Sequence, residues 1–213
     1  MAELPGGPLT ILFSDVEGST DLRTERGDAA AHRILRSHEH VVRHCVAEHG
    51  GREIKALGDG FMVVFVSPRT ALECSVAIQQ ELQERNVECP GDEVKVRIGI
   101  NTGEVTVEGD DIYGQAVNAA ARIAGRAKGG EILVSEIVRQ LAGSGPEFTF
   151  VDRQSSPTPT DSMAAANCSP EGTSSEPPTT GRTARAARRR GRSRECAPSP
   201  SRPGRCRSAG RRR

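Results

Sequence analysis

Arg52-Glu53-Ile54-Lys55-Ala56-Leu57-Gly58-Asp59-Gly60-Phe61-Met62-Val63-Val64-Phe65 is the stretch on which the fold turns. Two runs of strand-forming residues, 52–57 and 61–65, flank Gly-Asp-Gly, which predicts a β-hairpin with Asp59 at its tip. Upstream, Asp28 to Glu48 sets Ile34, Leu35, Val41, Val42 and Val46 near helical spacing, and Gly50-Gly51 ends that helix. Further upstream, Leu9-Thr10-Ile11-Leu12-Phe13 reads as a buried strand that opens onto a polar loop at Ser14-Asp15.

Downstream, Pro68 opens a helix from Arg69 to Arg85, and Val94 to Ile100 alternates as a strand that continues through a turn into Gly103–Val107. An alanine-rich helix over 114–126, a strand over 131–135, a short helix over 136–141 and a strand from Phe148 complete the pattern. The order β-α-β-β-α-β with additions predicts an α+β, ferredoxin-like sheet with helices on one face. That architecture alone implies no function.

The composition changes near residue 153. Residues 1–152 hold 15 Lys+Arg against 24 Asp+Glu, a net of −9, whereas 153–213 hold 14 Arg against 4 acidic residues, a net of +10. The tail contains no Val, Ile, Leu, Phe, Tyr or Trp, so it cannot bury enough apolar surface to offset its ordering entropy. The expectation is a domain over 1–152 with its C-terminal strands missing, and a disordered Arg/Pro/Ser-rich tail over 153–213. A GC-rich gene read out of frame would give such a tail.

The longest strongly apolar run, Phe61 to Val66, is far too short to span a bilayer, and MAELPGGPLT lacks the basic and apolar regions of a signal peptide. Six cysteines without a CxxC pair fit a cytoplasmic protein with free thiols, Cys45 and Cys74 being core or boundary residues of helices. All five histidines (His32, His38, His40, His44, His49) lie in or near the first long helix without matched carboxylate or cysteine spacing, so no metal site is expected of them. Gly125-Arg126-Ala127-Lys128-Gly129-Gly130 lacks the Walker spacing and is read as a helix end running into a turn.

Two carboxylates stand out: Asp15 after the first strand and Asp59 at the hairpin tip. Those strands lie side by side in a ferredoxin-like sheet, so both side chains could reach one point. Paired carboxylates suit Mg²⁺, a hard cation that shares its shell with substrate phosphates. Aspartate is also a common turn residue, and spacing alone leaves both readings open.

Phe13-Ser14-Asp15-Val16-Glu17-Gly18-Ser19-Thr20 resembles the first metal motif of bacterial class III adenylyl cyclases. Ile54-Lys55-Ala56-Leu57-Gly58-Asp59-Gly60 resembles their second, and Asp111-Ile112-Tyr113-Gly114-Gln115-Ala116-Val117-Asn118-Ala119-Ala120-Ala121-Arg122 their third. The resemblance implies that Asp15 and Asp59, with the Val16 carbonyl, ligate two Mg²⁺ or Mn²⁺ ions. It implies that Lys55 and Asp111 read adenine, Asn118 orients the ribose and Arg122 stabilises the phosphate in the transition state. The activity implied is adenylyl cyclase: ATP to 3′,5′-cyclic AMP and pyrophosphate, in a head-to-tail homodimer whose two sites each draw on both subunits. Without the resemblance, Lys55 reads as a solvated strand residue and Arg122 as a surface arginine paired with a glutamate.

The residue types suit those roles. Adenine offers an acceptor at N1 and a donor at N6, which a lysine and an aspartate match and guanine reverses. Asn118 and Arg122 are four apart in a helix and share a face, and a guanidinium offers five fixed donors to a phosphate. The family usually continues with a Leu-Lys-Gly strand whose lysine reaches the triphosphate. No lysine follows Lys128 here, so that group and a closing strand are expected to be missing. The alternative is therefore a cyclase-like domain that binds nucleotide or a partner cyclase without turnover. Nucleic-acid binding by the arginine-rich tail is a third reading, against which stands its lack of stacking aromatics.

Overall fold

Leu9–Val16 (β1) buries Leu12 and Val16 on one face and Leu9 and Ile11 on the other, as only a central strand can. In the computed structural model, which describes residues 6–143, 148–153 and 163–167, the same holds for Gly60–Phe65 (β3), buried at every position. The order of elements after β1 is α1 (Ser19–Arg26), α2 (Asp28–Glu48), β2 (Arg52–Leu57), β3, α3 (Pro68–Glu88), β4 (Val96–Gly103), β5 (Thr106–Glu108) and β6 (Asp111–Tyr113). There follow α4 (Gln115–Arg126), β7 (Ile132–Ser135), α5 (Glu136–Ala142), β8 (Thr149–Arg153) and β9 (Met163–Asn167). Among the described residues no helix is long and apolar enough to cross a membrane.

One sheet runs β2-β3-β1-β4-β7-β9-β8. Its first four strands are antiparallel neighbours, and with α2 and α3 they form the ferredoxin-like β-α-β-β-α-β unit. β7 adds in parallel to β4, through the crossover helix α4. β1 and β3 send Leu12, Val16, Phe61, Val63 and Phe65 to the α2–α3 side, where α5 adds Val138 and Ala142.

The expectation of helices on one face holds for that unit and fails for α4. Val117 and Ala120 of α4 pack on Leu9, Ile11, Met62 and Val64, the opposite face of the sheet. Two glycines of β4 let the helix lie close. A methyl group on Gly99 would overlap the Ala124 backbone nitrogen, and one on Gly103 would stand 2.9 Å from the Ala116 Cβ.

The hairpin forms as expected, with Leu57 paired to Gly60 across the two-residue loop Gly58-Asp59. Gly58 takes a positive φ of 71°, which a side chain would disfavour. α1 was not expected: STDLRTER carries a single apolar residue, Leu22, and buries none fully, so it gives no periodic signal.

The domain end expected at residue 152 is revised. Arg153 closes β8, and Met163–Asn167 forms β9, which pairs antiparallel to β7 on one side and to β8 on the other. A closing strand is therefore present. It escaped the sequence because Met-Ala-Ala-Ala-Asn has no β-branched or aromatic residue, and backbone hydrogen bonds rather than side-chain preference place it. The rest of the expected tail, 154–162 and 168–213, lies outside the described residues.

Candidate active site

Alternation puts Asp15 on the α4 side of β1, beside the turn that carries Asp59. Ser14 pairs with Phe61, and a methyl on Gly60 would overlap the Ser14 carbonyl and lie 3.4 Å from Asp15 Oδ1. The Asp15 carboxylate and the Asp59 turn are thus neighbours, as their strand order requires. Asp59 Oδ2 is buried and has no hydrogen-bond partner among the described residues. Two neighbouring carboxylates form a donor set of hard oxygens, and that set fits a divalent ion of the Mg²⁺ or Mn²⁺ kind.

Arg97 is a neighbour the sequence reading missed. It pairs in register with Asp15 across β1 and β4, and both its Nε, at 2.9 Å, and its Nη2 donate to Asp15 Oδ2. The signal was available: Lys95, Arg97, Gly99 and Asn101 alternate onto the face that Asp15 occupies. Glu17, in the first motif, accepts a 2.9 Å hydrogen bond from the Gly129 amide. The Gly125–Gly130 segment is, as expected, the end of α4 at Arg126 and a turn closed by Glu131 N to Lys128 O.

A second cluster lies at the β5–β6 hairpin. Lys55 Nζ donates to both oxygens of Asp111, at 2.9 and 2.6 Å, across 56 residues of sequence. A bulge between Glu53 and Lys55 locally re-aims β2, and β6 contacts that strand. The Ile112 amide also donates to Asp111 Oδ1, at 2.8 Å. The Lys55 ammonium, then the amide and the Tyr113 hydroxyl, hold the Asp111 carboxyl below its usual range against a smaller burial effect. Asp111 in turn pushes the Tyr113 phenol up, and the ammonium stands 5.7 Å from its ring centroid.

Asn118 and Arg122 lie one turn apart on the exposed side of α4, opposite Val117, Ala120 and Ala124. Neither side chain forms a hydrogen bond or ion pair within the described residues. The structure thus joins Asp15 to the Asp59 turn and Lys55 to Asp111, and leaves Asn118 and Arg122 facing outward. Val16, the remaining expected ligand, is buried at the end of β1.

Two other expectations meet the structure here. Cys45 and Cys74 are buried free thiols, both pushed up to about 12 chiefly by burial, as inert core residues should be. The histidines do acquire carboxylate neighbours: α3 brings Glu81 to His44 and Glu48 of α2, with ligand atoms within 4.8 Å of one another. His44 and Glu48 are four apart on α2, a spacing the sequence does contain, whereas Glu81 arrives only through the packing of α3.

His38 of α2 is fully buried, and its pKa falls to about 4 because burial penalises the imidazolium more than Asp59, Glu39 and Asp15 favour it, with Arg85 adding to the depression. An unfolded imidazole protonates near 6.5, so between the two values the unfolded chain binds the extra proton and acid favours it. Folding stability should therefore fall by about 2 kcal/mol between pH 7 and pH 5 from this group alone. Urea midpoints at the two pH values test this, with His38→Leu expected to flatten the difference. An unchanged slope in that variant would assign the acid sensitivity elsewhere.

The sequence model of the adenylate and guanylate cyclase catalytic domain matches residues 3–163. A Rhizobium meliloti (strain 1021) protein provisionally named adenylate cyclase 3 is 35% identical over 144 residues, which are 67% of this chain and 24% of the relative. The chain thus spans about a quarter of that relative's length. An adenylate/guanylate cyclase/hydrolase from Silicibacter pomeroyi, solved by crystallography, aligns at 31% identity with a TM-score of 0.64, covering 78% of this chain and 98% of that one. The adenylyl cyclase CyaB from P. aeruginosa shares the fold, with a TM-score of 0.68 at 23% identity over 80% of this chain and 98% of its own. A match that takes in three quarters of the chain and all three motifs settles the family, and this protein belongs to the class III adenylyl/guanylyl cyclase catalytic domains.

Proposed function

We propose that the domain converts ATP to 3′,5′-cyclic AMP and pyrophosphate, as a homodimer with two divalent ions at each site. The observation that carries this reading is the Lys55–Asp111 pair, which holds one donor and one acceptor together at a single point. Adenine N1 accepts from Lys55 and its N6 amino group donates to Asp111, each replacing part of the contact the two residues make with each other. Guanine presents the opposite pattern and leaves both groups unpaired.

Asp15, Asp59 and the Val16 carbonyl would hold the metal ions. When bound, such ions lower the pKa of the ribose 3′-hydroxyl and neutralise phosphate charge. Arg97, already on Asp15, sets a guanidinium where phosphate oxygens would lie. Asn118 orients the ribose and Arg122 meets the charge that develops on the α-phosphate. Their exposure on α4, without partners among the described residues, supports a site completed across a dimer.

Exchanging the base readers tests the assignment. Lys55→Glu with Asp111→Cys should lower ATP use and raise the ratio of cyclic GMP to cyclic AMP formed by at least about tenfold, the scale of one mispaired polar contact. An unchanged ratio would remove both residues from base recognition. The second reading, nucleotide binding without turnover, rests on the absence of lysine after Lys128. It predicts that purified protein binds ATP and yields no cyclic nucleotide with either Mg²⁺ or Mn²⁺.

A further inference from the structure

Three buried polar groups near the Asp59 turn have no hydrogen-bond partner among the described residues: both ring nitrogens of His38, Ser14 Oγ and Asp59 Oδ2. They come from three separate elements, α2, β1 and the β2–β3 loop. Phe61 ties them together. Its ring lies 5.9 Å from the His38 ring, Ser14 is its partner in the β1–β3 register, and Asp59 precedes it by two residues. Buried polar groups in native proteins are almost always paired, because leaving one without a partner forfeits its solvation with nothing in return. Three orphans about one side chain are therefore a site rather than three accidents.

His38 makes no direct bond to Asp59, yet Asp59 is the strongest charge acting on its ring. Buried groups that act on each other without a direct hydrogen bond suit one bridging water, which typically makes about three hydrogen bonds when buried. We infer that His38, Ser14 Oγ and Asp59 Oδ2 share one internal water, and that through it His38 is a positioning residue for the Asp59 carboxylate. The water donates one hydrogen to Asp59 Oδ2 and one to a bare ring nitrogen of His38, and accepts from the Ser14 hydroxyl. The depressed pKa keeps the imidazole neutral, so that a ring nitrogen stays free to accept. The relay fixes the buried oxygen of Asp59 from behind and leaves the other free to face the active site, as partners behind a ligand do in metal sites.

The inference about metal affinity rests on the reading of Asp59 as a metal ligand, and the relay itself does not. Ring ¹⁵N shifts of His38, recorded on the full chain without added metal, test the relay. Asp59→Asn and Ser14→Ala should each move them, and unmoved signals in both variants would overturn it. Mn²⁺ binding without nucleotide, followed by electron paramagnetic resonance, tests the consequence. His38→Phe should weaken binding about tenfold, whereas His38→Gln, which keeps a polar partner for the water, should bind within about threefold of the unaltered protein. If His38→Phe binds Mn²⁺ as the unaltered protein does while Asp59→Ala does not, His38 has no positioning role. If Asp59→Ala itself retains full Mn²⁺ affinity, the metal assignment falls, and the ¹⁵N shifts still decide the relay. Should His38→Phe fail to fold, Ser14→Ala carries the Mn²⁺ arm, with a loss of affinity expected and an unchanged affinity counting against the relay.

Discussion

Asp59→Ala and Asp15→Ala should each lower cyclic-nucleotide formation on the order of a thousandfold or more, at saturating Mn²⁺. Metal-supported charge stabilisation is worth several kcal/mol of barrier, and about 4 kcal/mol corresponds to that factor. Folding should hardly change. Asp59 sits in a two-residue loop, and removing Asp15 frees a partly exposed Arg97 that water can solvate. Melting temperatures within a few degrees of the unaltered protein, together with lost turnover, are the expected pair of results. Either variant retaining most of its turnover would remove the two-metal assignment.

Gly99→Ala should be the most damaging added methyl among the described glycines. The new carbon would overlap the Ala124 backbone nitrogen and lie 2.7 Å from the Ala124 Cβ, and a helix backbone cannot rotate aside as a side chain can. α4 must lift from β4, at a cost of about 3 kcal/mol on the scale of overpacked cores. Because α4 carries Asn118 and Arg122, any turnover should fall with it. Gly125→Ala is the control on the same helix. Beyond its own helix, no atom of the described residues lies within 4 Å of its added methyl, and glycine to alanine within a helix stabilises by about 1 kcal/mol. Urea midpoints should move in opposite directions. A Gly99→Ala protein as stable as its parent would show that the helix does not depend on that close approach.

The sequence made the hairpin legible because glycine, aspartate and flanking apolar runs are local signals that tertiary packing had no reason to override. It made α2 legible to its ends, Asp28 and Glu48, because that helix buries one continuous stripe. β9 was illegible for the opposite reason: its residues have no strand preference of their own, and only the neighbours on either side specify it. α4 was placed in the chain but not on its face, since the glycines that admit it lie on another element.

The site divides in the same way. The three motifs supplied Asp15, Asp59, Lys55, Asp111, Asn118 and Arg122. Contacts between distant positions supplied the rest: Arg97 on Asp15, 82 residues away, and His38 against Phe61 of β3. A buried histidine on an apolar helix face looks like any core residue until the atoms around it are known to lack partners.

β9 has a consequence for how such a gene can change. The gap between β7 and β8 is filled through peptide groups, which every amino acid except proline presents alike. Ala166 faces the core and has to be small or apolar enough to remain there, a modest demand on its codon. The segment's structural demands are therefore coarse, length and freedom from proline, and most side-chain changes there should leave the sheet paired. The glycines beneath α4 allow no such latitude, because any side chain there would meet the helix.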